Sequence, residues 1–443
     1  MRDFFRVLKT KARPARINDQ AEVDSIYKYW RIRIMYSMYF GYATFYLTRK
    51  SFTFIIPDMI KDLHFSKAEI GILGTVFYLM YGCSKFISGM LADKSNPRYF
   101  MAFGLIVTGV VNILFGMASS IPLFIVLWLI NGFFQGWGWP PCARLLTHWY
   151  SQRERGVWWG IWNTSHNLGG AAIPIIAAVC ATYWGWRSAM FVPGVIAIFM
   201  GIFLMNRLSD VPESKGLPPI EEYKNDYPGK SHKLQTEIST KEVLVKYVLK
   251  NKYIWILAMS YVLVYVVRTA INDWGALYLT ENGKSLISAD GTLSFFEIGG
   301  FVGSLVAGWM SDKIFSGKRG PVNVIFSIGI VFALAAFWLA PRAGFVVHAA
   351  CLFAIGFLVF GPQMLIGMAA AELSHREAAG TATGFVGLFG YIGAALSGLP
   401  VGIVLQDYGW NGFFIAIGLC ALLTIVLLST IWSAKTNPVV YEK

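Results

Sequence analysis

Apolar residues run through this chain in blocks of about 20, the length of a membrane-crossing helix. Twelve such blocks can be read, at roughly 32–57, 69–91, 98–118, 121–147, 156–182, 187–207, 252–279, 291–311, 321–341, 344–370, 378–404 and 411–433. The connections are short, with one exception. Residues 208–251 are polar, charged and punctuated by proline and glycine, as a surface loop is. The pattern therefore predicts an all-α membrane protein. A tail over 1–31 precedes a six-helix bundle over 32–207. The loop 208–251 leads to a second bundle over 252–433, and a tail over 434–443 ends the chain.

The two bundles echo each other. "GMLADKSNPR" (89–98) follows the second block and "GWMSDKIFSGKRG" (308–320) the eighth, so Gly89 and Asp93 align with Gly308 and Asp312 at an offset of 219. Each segment reads as a tight turn in which the glycine lets helices approach and the aspartate caps a helix N-terminus. The same offset carries Tyr46 onto Tyr265, Arg49 onto Arg268 and Arg33 onto Lys252. "HNLGGA" (166–171) is echoed by "GYIGAA" (390–395). A parallel repeat of six helices is a transporter architecture, and the repeated turn motif resembles the signature of the major facilitators.

Composition agrees. Of 443 residues, 56% are hydrophobic and 14% charged, against about one quarter charged in soluble domains. The net charge of +13 does not indicate nucleic acid, because most of the 38 Lys and Arg sit in the tails and alternate loops. The opposite loops hold Lys61, Lys67, Arg187, Lys284 and Arg342. That asymmetry predicts both termini and the central loop in the cytoplasm. The basic N-terminus lacks an apolar core and does not read as a cleaved signal; a solvated tail is expected there, with a short amphipathic helix on the membrane surface as the alternative. The five cysteines are scattered in apolar blocks, and no cluster has metal or disulfide spacing. No catalytic constellation appears, so enzymatic chemistry and a cofactor are not expected, and the absence of a Walker sequence argues against direct ATP drive.

Charges inside the apolar blocks carry the functional signal. Arg49 lies nine residues before Asp58 and 16 after Arg33, about 13 Å and 24 Å along a helix. Arg268 lies equally far from Lys252. Each charge costs at least about 2.5–3.5 kcal/mol in mid-membrane, so it faces a cavity or a partner. Few intramembrane acids are present, Asp273 and Glu297 foremost, so an anion is the natural partner. Guanidinium groups from symmetric positions could grip one phosphate with paired hydrogen bonds. Tyr46 and Tyr265, one turn before the arginines, place hydroxyls in the same cavity. Lys50 points about 100° away from Arg49. It reads as half of a gating salt bridge with Asp273, or as a packing residue.

Other residues leave two readings open. Lys85 either snorkels to the interface or joins the site. His166, in the middle of its block, is a packed hydrogen-bonded group, a phosphate ligand or a proton acceptor. Glu297 orients Arg268, bonds a substrate hydroxyl or pairs with a neighbouring helix. Gln363 follows Pro362, where a broken helix is expected. Trp137 and Trp139, in "QGWGWPP", mark a similar candidate break.

Long motifs then name a family. "FYLTRKSF", "YGCSKFISGMLADKSNPR", "FFQGWGWPPCARLLTHWYSQRERG", "WNTSHNLGG" and "YVLVYVVRTAINDW" resemble the organophosphate:phosphate antiporters of the major facilitator superfamily. The similarity covers essentially the whole chain. Blocks 7, 10 and 11 most resemble the hexose-phosphate branch, its regulatory sensors in particular. "GLPPIEEYKNDYP" resembles the glycerol-phosphate carriers. The resemblance implies a monomeric inner-membrane carrier that exchanges sugar phosphate for inorganic phosphate. It implies phosphate binding by Arg49 and Arg268, assisted by Lys85 and His166. Residues 381–401 hold no charge, which leaves sugar selectivity to neutral groups such as Tyr391 and Ser397. Two rival readings stand. One is a sensor of external glucose 6-phosphate that signals to a histidine kinase. The other is a glycerol-3-phosphate:phosphate antiporter.

Overall fold

A computed structural model describes residues 14–93, 95–226, 243–374 and 379–434. All regular structure among them is helical. The helices are α1 (Gln20–Leu63), α2 (Lys67–Asp93), α3 (Pro97–Met117), α4 (Ile121–Gln135), α5 (Trp139–Trp149), α6 (Gln152–Asn163), α7 (Ser165–Trp184) and α8 (Ser188–Arg207). After the central segment follow α9 (Lys252–Glu281), α10 (Leu286–Trp309), α11 (Arg319–Leu339), α12 (Phe345–Glu372), α13 (Ala379–Leu396) and α14 (Leu399–Ser429). Nine helical stretches among the described residues are long and apolar enough to cross a membrane; α1 and α2, which carry Arg49, Lys50 and Lys85, fall outside that set. Large apolar side chains such as Phe199, Phe332, Leu339 and Val346 are mostly exposed. Water would disfavour such a surface, and hydrocarbon accepts it. This is a multi-pass membrane protein.

Two compact units emerge, one within Met1–Phe52 and Met80–Leu234, the other within Thr53–Leu79 and Gln235–Lys443. In the first, a core of Met38, Tyr42, Phe45, Met101, Leu105, Leu145, Trp162 and Leu204 joins α1, α3, α5, α6 and α8. In the second, α10 lies against α12. A Cβ added to Gly299 would sit 2.1 Å from the Phe353 carbonyl oxygen, and one on Gly303 1.9 Å from that of Phe357. Only glycine permits this approach, the close-packing device of membrane helices.

Several expectations need correction. Helix α1 begins at Gln20, so residues 20–31 are not a solvated tail. Val23 and Tyr27 are buried there; Tyr27 stacks on Tyr223 at 4.0 Å and donates to the Pro218 carbonyl. The opening of the supposed loop 208–251 is correspondingly folded. Leu208, Leu217 and Ile220 are buried, and Trp149 Nε1 donates to the Asp210 carbonyl at 2.9 Å. Residues Val243–Leu249 form a π-helix. Helix α12 runs unbroken through Pro362. Its close packing on α10, Phe360 against Phe296 at 5.6 Å, holds it helical despite the missing N–H. The break expected near Trp137 is present, between α4 and α5. Another falls unforeseen at Ser397 and Gly398, where Trp274 Nε1 donates to the Ser397 carbonyl (2.9 Å) and the Leu399 amide donates to Thr75 Oγ1 (2.8 Å). Asp312 caps no helix; it pairs with Arg319 at 2.5 Å, and Arg319 with Glu372 at 2.8 Å. The Asp93 side chain lies outside what is described.

Candidate functional site

In the first unit, α1 sets Tyr42, Tyr46 and Arg49 on one face through the spacing of four and three residues. The Arg49 guanidinium lies 4.5 Å from the ring centres of both Tyr46 and Tyr81. Its Nε donates to Gln135 Oε1 at 3.2 Å and its Nη2 to the Tyr81 hydroxyl at 3.3 Å. Two ring faces and the Gln135 amide oxygen orient the guanidinium plane. Gln135 is itself fixed. Its Nε2 donates to Thr48 Oγ1 at 2.9 Å, and Asn131 and Asn112 both donate to the Thr48 carbonyl at 3.1 Å.

His166 lies inside the membrane-length stretch Trp158–Trp184, as expected, as the second residue of α7 just past a turn at Thr164. Its Nδ1 is hydrogen-bonded to the Asn163 carbonyl oxygen. Its ring centre is 5.8 Å from that of Tyr46. Gly169 brings α7 this close: an added Cβ would meet the Ala43 carbonyl oxygen at 2.4 Å. Lys85 sits one turn after Tyr81 on α2, with Nζ 5.5 Å from the Trp139 ring centre. Arg49, Tyr46 and His166 therefore form one cluster, with Lys85 on the helix that supplies Tyr81. Lys50 is buried beside it in sequence.

In the second unit, α9 repeats the arrangement. The Arg268 guanidinium lies 5.6 Å from the Tyr265 ring centre and 4.5 Å from that of Phe360. Tyr265 contacts Tyr261 at 4.7 Å and Tyr391 at 6.2 Å. Gln363 follows Phe360 by one turn on α12, and its Oε1 is buried with no hydrogen bond among the described residues. Glu297 is buried in α10 next to Phe296. Ser397 is fully buried and its hydroxyl donates to the Ala394 carbonyl at 2.6 Å, which removes it from the sugar-selecting groups expected in this region. Asp273 accepts from the Tyr78 hydroxyl and from Asn272 Nδ2, each at 2.8 Å.

The sequence reading missed Tyr81, Gln135 and Phe360, and also Tyr42 and Tyr261. The last two carried a signal: they align at the same offset of 219, so the repeated unit is Tyr–x3–Tyr–x2–Arg. Tyr81 could have been found four residues before Lys85. Cavities of about 310 and 370 Å3 open elsewhere, beside Arg319 and beside His148, and neither is lined by the arginines at issue.

Residues 38–398 match the Major Facilitator Superfamily, and the chain belongs to that family. Within it, the chain falls in the organophosphate:phosphate antiporter branch. It is 54% identical over 431 residues to the probable hexose phosphate transport protein of Chlamydia muridarum, across 95% of this chain and 94% of that one. It is 52% identical to the membrane sensor protein UhpC of Escherichia coli K12, across 97% and 98%. Among solved structures, a bacterial homologue of the human lysosomal transporter Spinster shares the fold with a TM-score of 0.73 at 14% identity, over 91% of this chain and 95% of that one.

Proposed function

We propose that the protein is a monomeric secondary active transporter of the bacterial inner membrane that imports hexose phosphate, glucose 6-phosphate foremost, in exchange for inorganic phosphate. Both termini lie in the cytoplasm. The observation that carries this reading is the Tyr–Tyr–Arg triad repeated on α1 and α9, each guanidinium held against an aromatic ring. Arg49 and Arg268 take the phosphate group from two sides. Lys85 adds charge, and His166 accepts a proton or donates to a phosphate oxygen. Tyr46, Tyr265, Tyr391, Gln363 and Glu297 meet the sugar or orient the arginines. Only the anion-loaded carrier turns over, which makes exchange obligatory. A Lys50–Asp273 salt bridge holds one conformation until substrate weakens it. The reaction needs no enzyme chemistry and no cofactor.

A second reading is favoured by the 52% identity to a named membrane sensor over nearly its full length. In that reading the same residues bind external glucose 6-phosphate and the protein signals to a histidine kinase with little flux. Reconstitution into phosphate-loaded liposomes separates the two. Labelled glucose 6-phosphate accumulating in exchange for phosphate supports the carrier. Binding without accumulation overturns the carrier in favour of the sensor.

A further inference from the structure

The second unit contains a carboxyl group that the phosphate chemistry does not use. Asp290, in the second turn of α10, is 0% exposed. Both of its carboxyl oxygens are buried, and neither has a hydrogen-bond partner among the described residues. Its own carbonyl accepts from Ser294 Oγ at 3.4 Å, so the surrounding helix is regular while the side chain is unsatisfied. Asp58, near the end of α1, belongs to the same unit, in which residues 53–79 pack with the C-terminal helices.

An ionised carboxylate in such surroundings is among the least stable groups a fold can hold, whereas its protonated form costs far less. The charged and titratable groups at this end of the neighbouring helices do not change that. Glu281 of α9 is paired with Lys67 at 2.9 Å. His348 of α12 bonds the Ala340 carbonyl through Nε2 at 2.8 Å. On α1, Asp58 is accompanied by Lys61 and Asp62.

We propose that Asp290 is a proton-binding site, separate from the arginines. Its carboxyl carries a proton while the end of α1 holding Asp58 stays packed in the second unit. When that end moves off, water reaches the carboxyl. The O–H bond then breaks, the proton passes to water and a carboxylate remains. Re-closure requires the proton back. Proton concentration therefore biases this end of the unit between packed and open.

Infrared spectroscopy of the purified full chain at neutral pH, without substrate, tests the site. The carbonyl band of a protonated carboxylic acid should be present in wild type, absent in Asp290→Asn and displaced in Asp290→Glu. Hydrogen exchange over residues 53–63, corrected for intrinsic rates, should rise with pH in wild type and stay flat in Asp290→Asn. Retained binding of inorganic phosphate shows that each variant is folded. Should Asp290→Asn not fold, the Glu variant alone decides by the displacement of the band. Acid-carbonyl spectra that superimpose for wild type and the folded variants would overturn the proposal, as would unchanged pH dependence of exchange in Asp290→Asn.

Discussion

The hydroxyl of Tyr78 donates to a carboxylate oxygen of Asp273 across 2.8 Å, within a unit that joins residues 53–79 to the C-terminal helices. Thr75 extends the contact, donating to the Ala395 carbonyl and accepting from the Leu399 amide, both at 2.8 Å. The end of the first helical hairpin is thus bonded to α9, α13 and α14.

Removing one of these bonds should loosen that end. A hydrogen bond to a charged group contributes about 1.5–3 kcal/mol. Tyr78→Phe is expected to lower the thermal midpoint and to raise hydrogen exchange over residues 67–79, with exchange elsewhere unchanged. Unaltered exchange there would show that the bond contributes nothing.

Gln135 presents a neutral oxygen to Arg49. Gln135→Glu places a carboxylate at the same distance, so the arginine gains an internal counter-ion that competes with phosphate. Phosphate binding, measured by calorimetry, should weaken by at least about tenfold, with the melting temperature held or raised. Equal affinity would mean that Arg49 does not meet the anion.

Gly169 sets the distance between α7 and α1. A methyl group there would overlap the Ala43 carbonyl and Tyr46 Cβ. Gly169→Ala should cost about 1–3 kcal/mol and displace His166 from Tyr46. The check is paired: reduced thermal stability together with slower phosphate exchange.

The contact between Arg31 and Glu154, at 2.6 Å, ties the start of α1 to α6. Burial raises the Glu154 carboxyl, but the Arg31 hydrogen bond and charge and the Ser151 amide outweigh it and hold it below its usual value of 4.5. A depressed carboxylate contributes stability that is fully present above the unfolded value and is lost as pH falls through the folded one. Proteolysis of residues 20–31 should therefore accelerate only below the ordinary carboxylate range. Glu154→Gln should remove that acid dependence.

Most of the apolar blocks, the repeat and the half-buried arginines were legible because each leaves a mark on spacing or charge. The ends of the elements were less so. Residues 20–31 look polar, yet Tyr27 and Val23 find burial against Trp149 and Tyr223, far away in the chain. Pro362 reads as a helix breaker, but packing between α10 and α12 overrides it. The break at Ser397 does carry a local signal, Gly398 followed by Pro400, that went unread, and Thr75 and Trp274 supply the missing bonds. In the site, Arg49 and Tyr46 announced themselves, whereas Gln135 is an ordinary amide until Thr48 and Asn131 fix its orientation toward the guanidinium.

Exchange of labelled phosphate against glucose 6-phosphate in proteoliposomes, compared between wild type, Arg49→Lys and Arg268→Lys, bears most directly on the paired guanidinium groups. Lysine keeps the charge and loses the planar fork. Each substitution should cut exchange by at least about tenfold with the protein still folded. Full exchange by either lysine variant would contradict a two-arginine grip on the phosphate.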